Sequence, residues 1–258
     1  MKVKRKKVYS VKSNKRNKGN EAVVIGILGH KGGTGKTFLS KHLITLLSNL
    51  EYKVLGIDFD KQGDLMKWAS GYEWNGENFL TVNGYDLLYE TNVLDLSPFI
   101  NEYDFIVVDS RPDYEGMGKV LQKVDIAIIP VDGRLSMEGA KDVIEISRYV
   151  HNNAKVLLVR NKLKGIDRAL NLREKKILES LAAEYQISIH LISIIDSEGV
   201  RMAEMNGDNA WEYPGRVGKT VGTALISLAN FLSNEYGKGR QLGWGLLYER
   251  NKQGIKRN

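Results

Sequence analysis

Two lysines stand five positions apart in one glycine-rich stretch, GILGHKGGTGKTFLS (residues 26–40). The main-chain N–H groups of such a turn can face phosphate oxygens, and the first turn of a following helix adds partial positive charge. Gly35, Lys36 and Thr37 stand where a P-loop places its G-K-T. The lysine then bridges the outer phosphates of a nucleotide and the threonine hydroxyl goes to Mg²⁺. His30 occupies the place of the usual first glycine and is read as a loop residue, not a catalyst. One lysine suffices to hold a phosphate, so Lys31 is left over. Three acids complete the set. Asp58 and Asp60 close YKVLGIDFD (52–60), and Asp109 stands near the end of YDFIVVDS (103–110). An acid there suits a Mg²⁺ anchor, although an acid ending a buried strand is also an ordinary helix cap.

The surrounding pattern predicts how these residues are carried. AVVIGILG (22–29) is a nearly continuous apolar run of strand length, as expected for a strand covered on both faces. Leu39, Leu43, Leu46, Leu47 and Leu50 follow at helical spacing. Further buried strands are expected at 52–60, 103–110, 125–131, 154–161 and 187–193, with helices near 136–150, 170–185 and 221–232. The stretch 62–91 is mixed, with a helix near 64–70 and a short strand around 79–82. Alternating strands and helices at this spacing predict an α/β fold with a doubly wound, mostly parallel sheet. Ligands of such sheets bind beyond the carboxyl ends of the strands, where the loop and the three acids fall.

Cysteine is absent from the chain, which excludes disulfides, thiolate metal sites and a cysteine nucleophile. No apolar run reaches the roughly 18 residues of a membrane-spanning helix. The net charge of +7 is unevenly placed: +9 falls on residues 1–20 and +5 on 237–258, leaving −7 for the rest. The expected organisation is a basic, disordered tail at 1–20, one domain at 21–236 and a basic C-terminal tail at 237–258. Such tails either touch a polyanion or are merely solvated ends.

KGGTGKT (31–37) resembles the deviant Walker A motif of the ParA/MinD family of ATPases. The likeness continues through VLGIDFDKQGDL (54–65), YDFIVVDSRPD (103–113) and DIAIIPVDGRLSMEGA (125–140), and spans about residues 22–232. It implies a P-loop NTPase fold of the deviant Walker A type, with ATP and Mg²⁺ as cofactors. Gly32, Gly33, Thr34, Gly35, Lys36, Thr37 and Phe38 would hold the nucleotide. Thr37, Asp58 and Asp109 would serve the metal, and Asp60 would position the attacking water. Lys31 would cross a dimer interface to the partner's phosphates, making ATP the link of a homodimer. Asn161 resembles the asparagine that reads the adenine edge, although a strand-terminal asparagine is also a common cap. Lys61 departs from the family's proline, and Ser110-Arg111 from its usual residues before Pro112.

Within the family the chain looks like a short ParA, a DNA-segregation ATPase of plasmid or chromosome partition. This implies a cytoplasmic, nucleoid-associated protein that binds nonspecific DNA and works with a centromere-binding adaptor. Arg201, Arg216 and Lys219 are further candidates for DNA contact. The alternative is a MinD-like ATP-switched membrane or polar scaffold, but the tail's interior glycines and irregular apolar spacing make a poor membrane helix.

Overall fold

The computed structural model describes residues 21–247, apart from 83, 150–153, 162–167, 186, 191–193 and 195–196. The basic stretch 1–20 and residues 248–258 lie outside the described residues, as do positions 191–193 of the strand expected at 187–193.

Eight strands form one sheet: β1 (Val23–Ile27), β2 (Val54–Asp58), β3 (Phe79–Val82), β4 (Tyr85–Tyr89), β5 (Phe105–Asp109), β6 (Ile126–Val131), β7 (Lys155–Arg160) and β8 (Ser188–His190). Their order is β3-β4-β2-β5-β1-β6-β7-β8. All pairings are parallel except the β3–β4 edge, which is antiparallel. The central strands β2, β5 and β6 are buried along their whole length, which is why they read as unbroken apolar runs.

Alternate residues of these strands face two separate cores. Ile25, Ile27, Phe105, Val107, Ile126 and Ile128 pack under α1 (Lys36–Asn49), α2 (Asp64–Ala69), α6 (Glu198–Met205) and α7 (Arg216–Tyr236). Val24, Leu28, Ile106, Val108, Ala127 and Ile129 pack under α3 (Tyr114–Leu121), α4 (Gly133–Tyr149) and α5 (Arg168–Tyr185). The expected α/β, doubly wound architecture is therefore found.

Besides helices α3 and α6, which the sequence reading did not place, two regions differ from it. The mixed stretch holds a second strand, β4, whose alternation puts Tyr85 and Leu87 into the core and leaves Asp86 to accept from Thr81 across the hairpin at 2.8 Å. One buried face on a short edge strand gives a weak apolar signal. The domain boundary expected at 236 also falls inside packed chain. Leu242 and Leu247 are buried, and Trp244 lies over Gly222 of α7, where a Cβ would collide with its ring. Arg240 donates to the carbonyls of Leu50 and Glu51, and Lys238 pairs with Asp104 at 2.9 Å. Two of the cations assigned to a tail thus belong to the body. Among the described residues, no helix is long and apolar enough to cross a membrane.

Candidate functional site

The carboxyl ends of β1, β2, β5 and β7 open onto a cavity of about 660 Å³, within the usual size of a small-molecule site. Gly32, Gly33, Gly35, Lys36, Thr37 and Phe38 line one side of it, Asp60, Lys61 and Arg111 another, and Asn161, Ile194, Val200, Arg201 and Glu204 the far wall. Gly33 and Gly35 take left-handed φ angles of 75° and 92°. Gly35 admits no other residue, because a Cβ there would fall on the Asn161 amide as well as strain the backbone. It is also the N-cap of α1 and brings no capping side chain, so no side chain serves the first N–H groups of that helix.

Lys36 is buried, with its ammonium donating to the Lys31 carbonyl at 3.2 Å. Burial lowers its pKa, against the opposing pull of Asp109 and Asp60. Asp109 is buried at the end of β5 and accepts hydrogen bonds from the hydroxyls of Ser40, at 3.0 Å, and Thr37. Burial, reinforced by the charge of Asp58, pushes its carboxyl up to about 7. A cation placed between Thr37 and Asp109 would relieve that energy.

Asp58, fully buried, is pushed up to about 6 by the same desolvation. Main-chain N–H groups of Leu65 and Met66 donate to one of its oxygens at 3.0 and 3.1 Å, and that of Asp60 to the other at 3.2 Å. Asp58 therefore fastens the start of α2 beside the cavity, and what it offers a metal is charge from behind. Asp60 is half-buried on the lining, with its Oδ1 accepting from the Gln62 N–H at 3.0 Å.

Lys31 is exposed and does not line this cavity. Asn161 is buried and donates to the Thr34 carbonyl at 2.9 Å, which ties the end of β7 to the glycine loop. His30 stacks on Tyr114 at 4.1 Å between ring centroids, so it joins the loop to α3 as a structural residue. Of the residues considered for DNA contact, Arg201 stands on the cavity wall, while Arg216 and Lys219 are exposed on the first turn of α7.

Sequence reasoning missed Ser40 and, on the far wall, Ile194, Val200 and Glu204. Ser40 follows Thr37 by three positions, the helical spacing that brings both hydroxyls to one acid, and this signal was available. No comparable spacing announces Ile194, Val200 or Glu204.

The donor set suits a magnesium nucleotide. It combines a main-chain cradle with open space at Gly32 and Gly33, a buried ammonium, and a hydroxyl and carboxylates as hard oxygen ligands.

Comparison with known proteins agrees. Residues 25–208 match the CobQ/CobB/MinD/ParA nucleotide binding domain. The cell division protein PomZ of Myxococcus xanthus is 36% identical over 113 residues, 42% of this chain and only 30% of that relative's length. The Cyanothece McdA–ATP complex superposes with a TM-score of 0.64 at 18% identity, over 81% of this chain and 97% of that one. A plasmid partition protein of Borrelia burgdorferi B31, bound to AMPPNP, gives 0.62 at 18% identity over 81% and 100%. The Pyrococcus horikoshii septum site-determining protein MinD, complexed with Mg-ADP, gives 0.62 at 18% identity over 86% and 100%. At such identities the superpositions speak for the fold alone. Glycine cradle, buried lysine, strand-end acids and the match across most of the chain agree: this protein belongs to the CobQ/CobB/MinD/ParA family of nucleotide-binding domains.

Proposed function

We propose that the chain is a DNA-partition ATPase that dimerises on binding ATP and Mg²⁺, holds nonspecific DNA as the dimer, and lets go after hydrolysis stimulated by a centromere-bound adaptor. The observation that carries this reading is the separation of the two lysines. Lys36 is buried in the cavity, whereas Lys31, in the same loop, is exposed and outside its lining. A cation so placed is positioned to serve the nucleotide of a second copy, where it would stabilise charge on the transferring phosphate as an arginine finger does. In this scheme Lys36 holds the outer phosphates, Thr37 and Asp109 hold Mg²⁺ with Asp58 behind them, and Asp60 orients water. Asn161 would turn its remaining amide capacity to the base.

Charge supports a polyanionic partner such as DNA, since residues 1–20 carry +9. The apolar residues Leu242 and Leu247, which a membrane anchor would need, are already buried against the body.

Light scattering with ATP and Mg²⁺ should report a dimer for the parent and a monomer for Lys31→Ala with nucleotide binding retained. Asp60→Ala should dimerise and stall. Co-sedimentation with DNA and with anionic liposomes, each with and without ATP, should retain the protein on DNA alone. An ATP dimer in Lys31→Ala overturns the role of that lysine, and ATP-dependent sedimentation with liposomes favours the MinD-like alternative.

A further inference from the structure

The proposed switch gives no task to Arg111, a charged residue of the cavity lining. Arg111 follows β5 by two positions, between Ser110, whose N–H and hydroxyl both donate to the Ile27 carbonyl, and Pro112. Its backbone is therefore fixed at the strand end. Its side chain is only 10% exposed, yet it lines the same cavity as Gly32, Gly33 and Lys36. The guanidinium carbon sits 5.3 Å from the centroid of the Phe59 ring, which covers one face of the group.

The partner it has is a poor one. Nε of Arg111 lies 3.4 Å from Oδ2 of Asp113, within ion-pair distance. The alignment makes no hydrogen bond, and Nε is a buried donor without an acceptor among the described residues. Asp113 meanwhile gives its other oxygen to the Gly116 N–H at 2.6 Å, as the N-cap of α3. A buried guanidinium donor is unfavourable when unmet, and the misaligned carboxylate leaves Nε so. The oxygens that would meet it are those of an anion in the cavity, which the planar fork fits bidentately.

We propose that Arg111 is the residue by which one subunit distinguishes a nucleoside triphosphate from a diphosphate, pairing with the terminal phosphate from within the same chain and leaving Asp113 to do so. This rests on the nucleotide reading above and adds a cation in cis to the one that Lys31 supplies in trans. Asp113 caps α3, and Tyr114 of α3 stacks on His30 of the glycine loop, so departure of Arg111 from Asp113 is felt at both walls of the phosphate end.

Calorimetric titration of AMPPNP–Mg²⁺ and ADP–Mg²⁺ into the full chain tests this, using the parent, Arg111→Gln and Asp113→Asn, each also in a Lys31→Ala background to remove dimerisation. Arg111→Gln should weaken AMPPNP at least tenfold and ADP no more than about twofold, in both backgrounds. Asp113→Asn keeps a capping residue and frees the guanidinium, so the preference for AMPPNP should rise severalfold. Equal weakening of both nucleotides, an unchanged ratio, a loss confined to the background with Lys31, or a lower preference in Asp113→Asn overturns the inference while the nucleotide reading stands. Failure of the parent to bind either nucleotide overturns both.

Discussion

The two ends of the cavity are built differently. At the phosphate end, the glycine loop, Lys36, Asp60 and Asp109 are set by the ends of β1, β2 and β5, so the sheet itself fixes them. Apart from Asn161 at the end of β7, the far wall is carried by α6 and the chain before it, and hangs on α1 and the turn after α2 through side chains. Lys41 of α1 is buried and pairs with Glu204 at 3.5 Å, His42 accepts from the Ala210 N–H at 2.9 Å, and the Tyr72 hydroxyl donates to the Glu204 carbonyl at 2.8 Å. A wall held by a few contacts between helices can shift at low cost, whereas strand ends cannot move without breaking the ladder. Binding energy should reside at the first end and adjustment at the second.

The largest effect that can break this contrast is at Lys36. Lys36→Ala should weaken nucleotide binding by about a hundredfold or more, the loss of charge-assisted contacts to phosphate. The same change should leave thermal stability unchanged or raised, because it removes a buried cation. Calorimetry beside a melting curve checks both. If an alanine on the far wall weakens binding as much, the division between the ends is wrong.

Next comes the ion pair. Glu204→Gln leaves the buried ammonium of Lys41 without a charge partner and should cost about 1–3 kcal/mol in urea unfolding, less than for a fully buried pair because Glu204 is about one-third exposed. Affinity for inorganic tripolyphosphate, which needs only the phosphate end, should stay within about twofold.

pH separates the ends by sign. Asp109 is pushed up to about 7, above its ordinary 3.8, so the folded chain takes up a proton before the unfolded one does. Its contribution favours the fold at low pH and is lost as pH rises through 7. His42 is held neutral by burial, then by the charge of Lys41, with Nδ1 against the Phe38 carbonyl at 2.6 Å and its pKa well below 6.5. Its contribution is present above 6.5 and is lost as pH falls below that value. Each amounts to about 1.4 kcal/mol per pH unit within its window. In chain free of metal and nucleotide, Asp109→Asn should abolish the gain in stability between pH 8 and 6. Below 6.5 the two slopes oppose each other and the parent's stability levels off, so His42→Gln should let stability keep rising as pH falls. Urea midpoints across pH measure both, and like signs would refute the assignment.

The smallest effect is expected at Arg201, exposed on the far wall. Arg201→Ala should change stability by no more than about 0.5 kcal/mol and nucleotide affinity by about threefold at most, by the same titration.

The same division explains what could be read from the sequence. Main-chain sites leave a local imprint: a loop that must take φ of 92° beside a close amide demands glycine, and a lysine, a threonine and strand-end acids follow at fixed offsets. The buried strands were legible because both faces are apolar. Val200 and Glu204 meet the site through the packing of α6 on α7 and its ion pair with α1, and Ile194 stands in the chain before α6; such packing leaves no fixed spacing in the chain. β4 was missed because it buries one face at a sheet edge, and α3 because Gly116 and Gly118 dilute its helical pattern. The tail boundary failed for a related reason. Charge marked residues 237–258 as solvated, but Leu242, Trp244 and Leu247 seat that segment on α7, and apolar residues spaced irregularly pack well without announcing a helix.

The strand order bears on synthesis. β1, which leads into the glycine loop, is hydrogen-bonded only to β5 and β6: Val23 pairs with Phe105 and Ile25 with Ile126. On a ribosome adding about 5–20 residues per second, the first strand waits several seconds or longer for the neighbours that complete its ladder. During that interval an apolar strand stands unpaired, and the cradle after it has no neighbouring strand end to face. Nucleotide can therefore assist folding only late, once β6 has emerged.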